Sequence, residues 1–482
     1  MTTVLSSIKL RGVSDIVSYI NDRPGIRGRA GIIWWLALGG LFLDAFSNSA
    51  LSAGLGPMTR DLSLSTGEIA IITSVASWVS IVFNPIGGWM ADRWGRRVPI
   101  ITAKALAIIG ALLAAFAPTF GVIVLGRLFV GAAYGMDFAI AIALLGEMTP
   151  KKFSSRINRW QGIWYTAVSM NLVLAIGLYN MNVGDSIWRY AVGAAGLVAL
   201  ALFILQWRYM VESPTWLARK GRLDDAAHAM SVIYHESFVP AVVAEREIVR
   251  NLANRGVRNV ALIFRGIYLP RTILATTIQL AQAIQYFAVG WYLPIISLSL
   301  FGDDFVKASA GSLFFNLFGI VGGFSSALIA RRLGLRIPSA IGFTIVAAIL
   351  VSLGLFFDTL PLWLAVALPS IFILCHSAGP GANGKSVSTL SFRSEIRATA
   401  NGFIGALGGI GAAIGLTVFP LMKASYGLPT TFLILAIVPT VAAIICFSIK
   451  WEPTKSLVPV DEELDAPNFK DDTDHLMTGA IK

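Results

Sequence analysis

Long apolar runs separated by short polar breaks dominate the chain, recurring near 31–56, 69–90, 98–117, 120–146, 159–180, 188–210, 271–299, 308–330, 337–357, 361–388, 398–421 and 428–449. A helix needs about 20 mostly apolar residues to cross the hydrocarbon core of a bilayer, and each run approaches or exceeds that length. About twelve spanning helices are therefore predicted, and they consume most of the chain. The largest polar interval, 211–270, divides them six and six. Inside it, ESPTWLARKGRLDDAAHAM places Ser213 before Pro214, a good N-cap and first-turn pair, and Gly221 can stop the helix. Short helices linking two bundles are expected there.

Five regions follow: a polar, basic N-terminal segment (1–30), a first six-helix bundle (31–210), the linker (211–270), a second six-helix bundle (271–450) and an acidic tail (451–482). The N-terminal segment lacks the short apolar core and cleavage site of a secretory signal, so nothing is expected to be removed. The tail has little apolar periodicity and is expected to be disordered.

Composition agrees with this pattern. The 482 residues are 56% hydrophobic and 13% charged, and the mean hydropathy of +0.71 lies outside the soluble globular range. The class is an all-α, multi-pass membrane protein, with the lipid bilayer as its first partner. A net charge of +11 could point to nucleic acid, but the positive residues cluster in alternate loops. They are Arg93, Arg96 and Arg97; Lys151, Lys152 and Arg156; Arg219, Lys220 and Arg222; Arg331, Arg332 and Arg336; Arg393 and Arg397. That is positive-inside bias, which orients both termini to the cytoplasm of a plasma or inner membrane and needs no nucleic-acid partner. Cys375 and Cys446 both fall inside predicted spans, which argues against a disulfide framework. The chain contains no H-E-x-x-H, no G-x-S-x-G and no metal-spaced His/Cys cluster, so an enzyme is not indicated.

The halves echo each other: WMADRWGRRVP after the second run has a degenerate partner, LIARRLGLRIP, after the eighth. Six plus six with parallel repeats is a transporter layout, with the substrate site between the bundles near the midplane. GGWMADRWGRR resembles the loop signature G-x-x-x-D-R-x-G-R-R of the major facilitator superfamily through Gly88, Asp92, Arg93, Gly95, Arg96 and Arg97. VESPTWLARKGR resembles a segment of its sugar-porter and related metabolite-porter branches. RLFVGAAYGMDFAIAIALLGEMTP is similar to the fourth span of its proton-coupled phosphate and organic-acid symporters, and GPGANGKSVSTLSFRSEIRATANG to their tenth span and following loop. The resemblance implies the two-bundle fold, small-molecule transport with protons as coupling ion and no other cofactor, and function as a monomer. It also implies a conformational latch at the cytoplasmic face, pairing across bundles, to which Glu147, Arg156 and Arg397 are added. Phe138 in place of the usual Tyr, Gly381 for Asn, Leu390 for Glu and Arg393 for Pro, with no Asp in the seventh span, argue against phosphate as cargo.

Charged residues at bilayer depth are costly, roughly 2.5–3.5 kcal/mol each on insertion scales, and normally face a protein interior or a water-filled path. Asp44 lies roughly 22 Å along the first span at 1.5 Å per residue, where a partly desolvated carboxyl is suited to bind and release a proton. Family resemblance pairs Asp44 with Arg127, which shares the fourth span with a small-residue stripe at Gly131 and Gly135. Asp137 then stands as an independent cavity group, the alternative being an internal salt bridge. Proton coupling is thus assigned to Asp44, Asp137 and Arg127. Lys385 follows the loosened GPGANG stretch and either favours an anionic substrate or snorkels to the headgroups. His376 would lie on the opposite face of a continuous helix and is read as a packed, neutral residue. The substrate-binding candidates are Asp137, Gln161, Trp164, Tyr165, Asn171, Gln282, Tyr292, Asn316 and Lys385.

The resulting expectation is secondary active transport: proton-coupled symport of a small, anionic organic metabolite by alternating access. Efflux by proton antiport, uptake of a neutral sugar and, further off, a non-transporting membrane sensor remain as alternatives.

Overall fold

A computed structural model of the chain describes residues 7–241, 261–302, 304–392 and 394–454. The acidic tail expected beyond Trp451 thus lies almost entirely outside the described residues. Eleven helices are long and apolar enough to cross a membrane. The last, Ser394–Ser448, turns at Gly427, whose φ of +76° is open to glycine and strained for other residues, so it comprises two spans. Twelve spans result among the described residues, as the pattern of apolar runs predicts.

Spans one to six are Gly28–Leu62, Thr66–Trp94, Arg97–Ala115, Phe120–Met148, Trp160–Asn180 and Ile187–Tyr209. The seventh is broken: Tyr268–Gln285, a π-helical turn Tyr286–Gly290, then Leu293–Phe301. Spans eight and nine are Phe305–Leu333 and Arg336–Phe356. The tenth is also broken, into Leu362–Ala378 and Pro380–Leu390, because Pro380 cannot donate to the helical ladder and Gly379 leaves helical geometry. Polar side chains fix the helix starts. Ser65 and Glu68 form a reciprocal capping box on the second span. Asp304 accepts from the backbone N–H of Lys307 and Val306 at 3.1 and 2.9 Å, which holds its carboxyl below the usual range. Ser213 caps the short linker helix Pro214–Arg219 at the position its spacing predicts, accepting from Trp216 N–H at 3.2 Å.

Two pairs of spans carry the contact between bundles: the second with the eleventh, and the fifth with the eighth. In the second pair the backbones meet without side chains between them, since a Cβ on Gly323 would overlap the Gly162 backbone. At the face remote from the termini the bundles close on one another. Tyr179 stacks on Phe305 with 5.1 Å between ring centroids, and the Tyr292 hydroxyl lies 3.0 Å from Thr73 Oγ1 and 2.9 Å from the Leu416 carbonyl.

The N-terminal segment and the linker do not stand as separate regions. Strand Ile8–Leu10 pairs in parallel with Phe238–Pro240, and Leu10, Ile16 and Ile20 pack on Trp216, Leu217, Met230 and Phe238. Ile16 and Ile20 lie one helical turn apart, so one apolar face inside a basic stretch suffices to dock it.

The degenerate repeat is visible as a matched pair of anchors. Gly95 and Gly334 end spans two and eight with φ of +94° and +85°. Beside Gly95, Glu212 accepts the N–H of Arg96 and Arg97 at 2.7 and 3.3 Å; beside Gly334, Glu452 accepts those of Leu335 and Arg336 at 3.0 and 2.9 Å. Each carboxylate thereby caps the start of the next span from beyond the end of its own bundle. Glu212→Ala and Glu452→Ala are each expected to lower stability by about 1–3 kcal/mol by orphaning two helix N–H groups, read as a fall in melting temperature of the detergent-solubilised protein.

Candidate functional site

A cavity lies between the bundles on the terminal side of the midplane and encloses about 690 Å³ of empty space, counting the part open to solvent. Its wall from the first bundle comes from Ser80, Asn84, Tyr134, Phe138, Trp160, Gln161 and Trp164; the second bundle contributes Gln279, Gln282, Tyr286, Phe287, His376 and Lys385. Gly405, Gly408 and Gly409 of the eleventh span let the wall approach closely. Amides and aromatic faces thus dominate, and Lys385 and His376 are the only titratable bases among the described lining residues. Lys385 Nζ stands 4.8 Å from the Phe138 ring centroid, a cation–π distance. The Trp164 indole donates to the Tyr286 hydroxyl at 2.8 Å. These two residues also line a smaller second cavity on the far side, with Asn48, Ser52, Trp291 and Asn316, so their bond partitions the path between the bundles.

The break in the tenth span overturns the expected separation of His376 from Lys385. A continuous helix would set them on opposite faces; the interruption at Gly379 and Pro380 brings both to the same cavity. His376 Nδ1 lies 2.9 Å from the Gln285 amide nitrogen, and its ring stacks on Tyr286 at 5.2 Å.

The intramembrane charges are arranged differently from the expectation. Asp137 is not an independent cavity group. Its carboxylate is ion-paired with Lys104 of the third span at 2.5 Å, and both side chains are buried. Asp44 is buried as well, with Oδ2 unpartnered, and lies within electrostatic reach of both members of that pair. Arg127 does not pair with Asp44. Its guanidinium donates to Asn48 Oδ1 and to the Ile72 carbonyl, both at 3.4 Å, while Asn48 donates to the Asp44 carbonyl at 2.9 Å. An amide one turn along the first span thus stands between the expected partners. Gly40, a turn before Asp44, leaves the room: a Cβ there would overlap the Asp137 carboxylate and come within 3.2 Å of Lys104 Nζ.

Of the other sequence candidates, Gln161, Trp164, Gln282 and Lys385 line the main cavity and Asn316 the second. Tyr165 packs against Gly319 in the contact between spans five and eight, Tyr292 serves the closure at the far face, and Asn171 is buried away from both cavities. Tyr165 and Tyr292 do not line the main cavity because each packs on a neighbouring helix, and the buried Asn171 side chain has no described hydrogen-bond partner. The sequence reading omitted Lys104, Gln279, Tyr134 and Tyr286.

At the terminal face, the described latch residues form a network within the first bundle and the linker. Arg96 pairs with Glu147 at 3.1 Å and with Asp92 at 3.3 Å, and Ser213 donates to Glu147 at 2.6 Å. Arg97 donates to the Trp207 carbonyl at 3.0 Å, while Arg93 and Arg156 stack over Trp89 and Phe153. The close approach falls to Gly87, where a Cβ would meet Met136 Cα at 2.7 Å, whereas Gly88 has open space around it. The Arg397 side chain lies outside the described residues. Asn158 instead bridges the bundles here, donating to Asn383 at 3.2 Å and accepting from Ser386.

Residues 37–384 match the Major Facilitator Superfamily. Over 420 residues, the chain is 25% identical to the probable metabolite transport protein CsbC of Bacillus subtilis, covering 84% of this chain and 88% of that protein. It is 26% identical over 429 residues to the arabinose-proton symporter of the same organism, covering 85% and 88%. The fold is similar to that of the solved proton:xylose symporter XylE from Escherichia coli, with a TM-score of 0.73 at 16% identity over 90% of this chain and 98% of that one.

Two glycines separate packing from sequence signature. Gly40→Ala is expected to cost about 1–3 kcal/mol by overpacking the buried ion pair, and Gly88→Ala to stay within about 0.5 kcal/mol. Thermal unfolding of the two purified variants in one detergent checks both.

Proposed function

The chain belongs to the major facilitator superfamily, and from that premise we propose that it is a proton-coupled symporter of a small organic anion, working by alternating access. It is a multi-pass membrane transport protein and not an enzyme. The anionic reading is carried by one observation: Lys385 is the sole lysine or arginine among the described residues lining a cavity that holds no carboxylate. An ammonium between aromatic faces in a cavity without a carboxylate attracts an anion, while Gln161, Gln279 and Gln282 offer donors and acceptors to the rest of the molecule. We assign proton coupling to the Asp44, Asp137 and Arg127 region. The network around Asp92, Arg96 and Glu147 is assigned to stabilising one conformation at the cytoplasmic face. Positive-inside bias supports cytoplasmic termini in a plasma or inner membrane, and both cavities lie within one chain, which supports action as a monomer.

A neutral sugar is the second reading, supported by the same amides and by similarity to an arabinose-proton symporter. Thermal-shift screening against sugar acids, aromatic acids, dicarboxylates, phosphate and neutral sugars separates the two. Selective stabilisation by one anion class is expected, and Lys385→Met should weaken it at least tenfold, about 1.4 kcal/mol. Stabilisation by neutral sugars that is indifferent to Lys385→Met would establish the second reading instead. With the ligand so identified, Asp44→Asn in proteoliposomes should abolish its accumulation under an imposed pH gradient; retained accumulation would remove proton coupling through that residue.

A further inference from the structure

The unassigned group in this molecule is Lys104. It stands seven residues into the third span, buried, and makes its 2.5 Å ion pair with Asp137 inside the first bundle, away from both cavities. A lone lysine near a helix end can snorkel to the headgroups, but this one turns inward. The pair faces Gly40, and Asp44 follows four residues later on the same face of the first span, about 6 Å away along the helix. Side chains tilt toward the helix N-terminus, so the Asp44 carboxyl leans toward the turn that Gly40 leaves open. Two carboxyl groups thus converge on one ammonium, and the ammonium is already engaged by Asp137.

Among the described residues, the remaining surroundings offer Asp44 no second cation at that depth. Arg127 of the fourth span is held one turn further out by Asn48 and the Ile72 carbonyl. The fifth span carries no charged residue, and the sixth carries only Arg189, which pairs with Asp61 at the far face, and Arg208 near its other end. The second span has Glu68 at one end and Asp92 and Arg93 at the other. The broken seventh span adds Tyr286 and Tyr292; its Tyr268 and Arg271 lie at its start, where Arg271 donates to the Ser391 carbonyl at 3.3 Å and stacks over Trp451. Tyr134, three residues before Asp137, lies within electrostatic reach of Asp44 and also lines the main cavity.

We propose that Lys104 is the counter-ion of the proton site: it closes Asp137 into a neutral pair and leaves Asp44 as the carboxyl that takes a proton from cavity water, alongside Tyr134, and returns it to water. Lys104 is a positioning residue in this scheme, acting through Asp137 on the charge that Asp44 meets. Asp44 ionised gives the trio a net charge of −1; protonated, it gives zero. This rests on the proton-coupled reading above. A pair that served packing alone could lose Lys104 without changing how many protons the two carboxyls hold.

The test needs no substrate. Attenuated-total-reflection infrared spectra of the full-length protein in lipid, titrated with pH, read the carbonyl stretch of protonated carboxyl groups, each variant being compared with wild type. Asp44→Asn is expected to lose a protonated-carboxyl signal, and Lys104→Arg to keep it. Lys104→Met leaves Asp137 buried without a cation, so that carboxyl takes up a proton and the signal about doubles. The double variant Lys104→Met with Asp137→Asn removes both charges together and is expected to keep the Asp44 signal, and it decides the matter where the single variant cannot be purified. Survival of the signal in Asp44→Asn, its absence from the double variant, or an unchanged signal in a folded Lys104→Met would each overturn the proposal. Failure of pH-driven accumulation with these spectra intact would instead reject the proton-coupled reading and leave the charge arrangement standing.

Discussion

The desolvation of charge inside a bilayer is the constraint on which the first bundle depends. An ion buried without a partner costs several kcal/mol, and removing one member of a buried pair typically costs about 3–5 kcal/mol. The chain meets this by setting Lys104 against Asp137, from adjacent spans three and four, under a glycine of span one. All three elements belong to the same six-helix bundle. The pair therefore does not need to break when the bundles move relative to each other, and it is internal to the rigid unit instead of being a contact between units. The same closure withdraws Asp137 from the cavity. What the cavity retains is a single ammonium, Lys385, facing aromatic rings and amides.

Helix interruption supplies the second bundle with its polar surface. Backbone outside regular helix is tolerated at membrane depth only where protein or water satisfies it, and both broken spans lie against the space between the bundles. In the seventh span the π-helical turn carries Tyr286 to its bond with Trp164. In the tenth, the break at Gly379 reorients the following segment so that Lys385 joins His376. Glycines of the eleventh span then admit Gln279, whose amide side chain crowds both Gly384 and Gly408.

The number of spans and the Ser213 cap of the linker helix were legible in the sequence because each depends on local chemistry: a run of apolar residues, and a serine before a proline. Gln161, Trp164 and Gln282 were legible as cavity candidates from their polarity inside spans, whereas for Lys385 the cavity and the headgroups stood as equal fates. Pairing was not legible. Lys104 and Asp137 lie 33 positions apart in sequence, on helices whose relative rotation no periodicity specifies, and a lysine near a span end has an equally good fate at the headgroups. The pairing of Arg127 with Asp44 rested on the family resemblance, which does not show that Asn48 occupies the intervening turn. His376 was misplaced for a different reason: helical phase was carried through a Gly–Pro break that resets it. The N-terminal strand escaped notice because its apolar positions are few and its partner lies more than two hundred residues away.

The two bundles share a repeat but divide their charges unequally. The Glu212 and Glu452 anchors are matched across the repeat, as structural elements should be when both halves need the same helix start. The third span carries Lys104, whereas the ninth, RIPSAIGFTIVAAILVSLGLF, has no charge beyond its first residue. Buried charge is thus concentrated in the first bundle and the cavity lysine lies in the second, while both supply lining amides. Any linkage between proton and cargo has to cross where these meet, and the described contacts are few. Phe138 is the residue next to Asp137, and its ring faces Lys385 at 4.8 Å; Tyr134 lies one turn before it, edge-on to the same ring at 5.6 Å. A shift of the fourth span that relieves or restores charge at Asp44 would therefore move the surface on which Lys385 rests. An uncharged ring thus stands between the ammonium and the residue beside the acid, so under the proposed coupling the two would influence one another through position rather than by direct neutralisation.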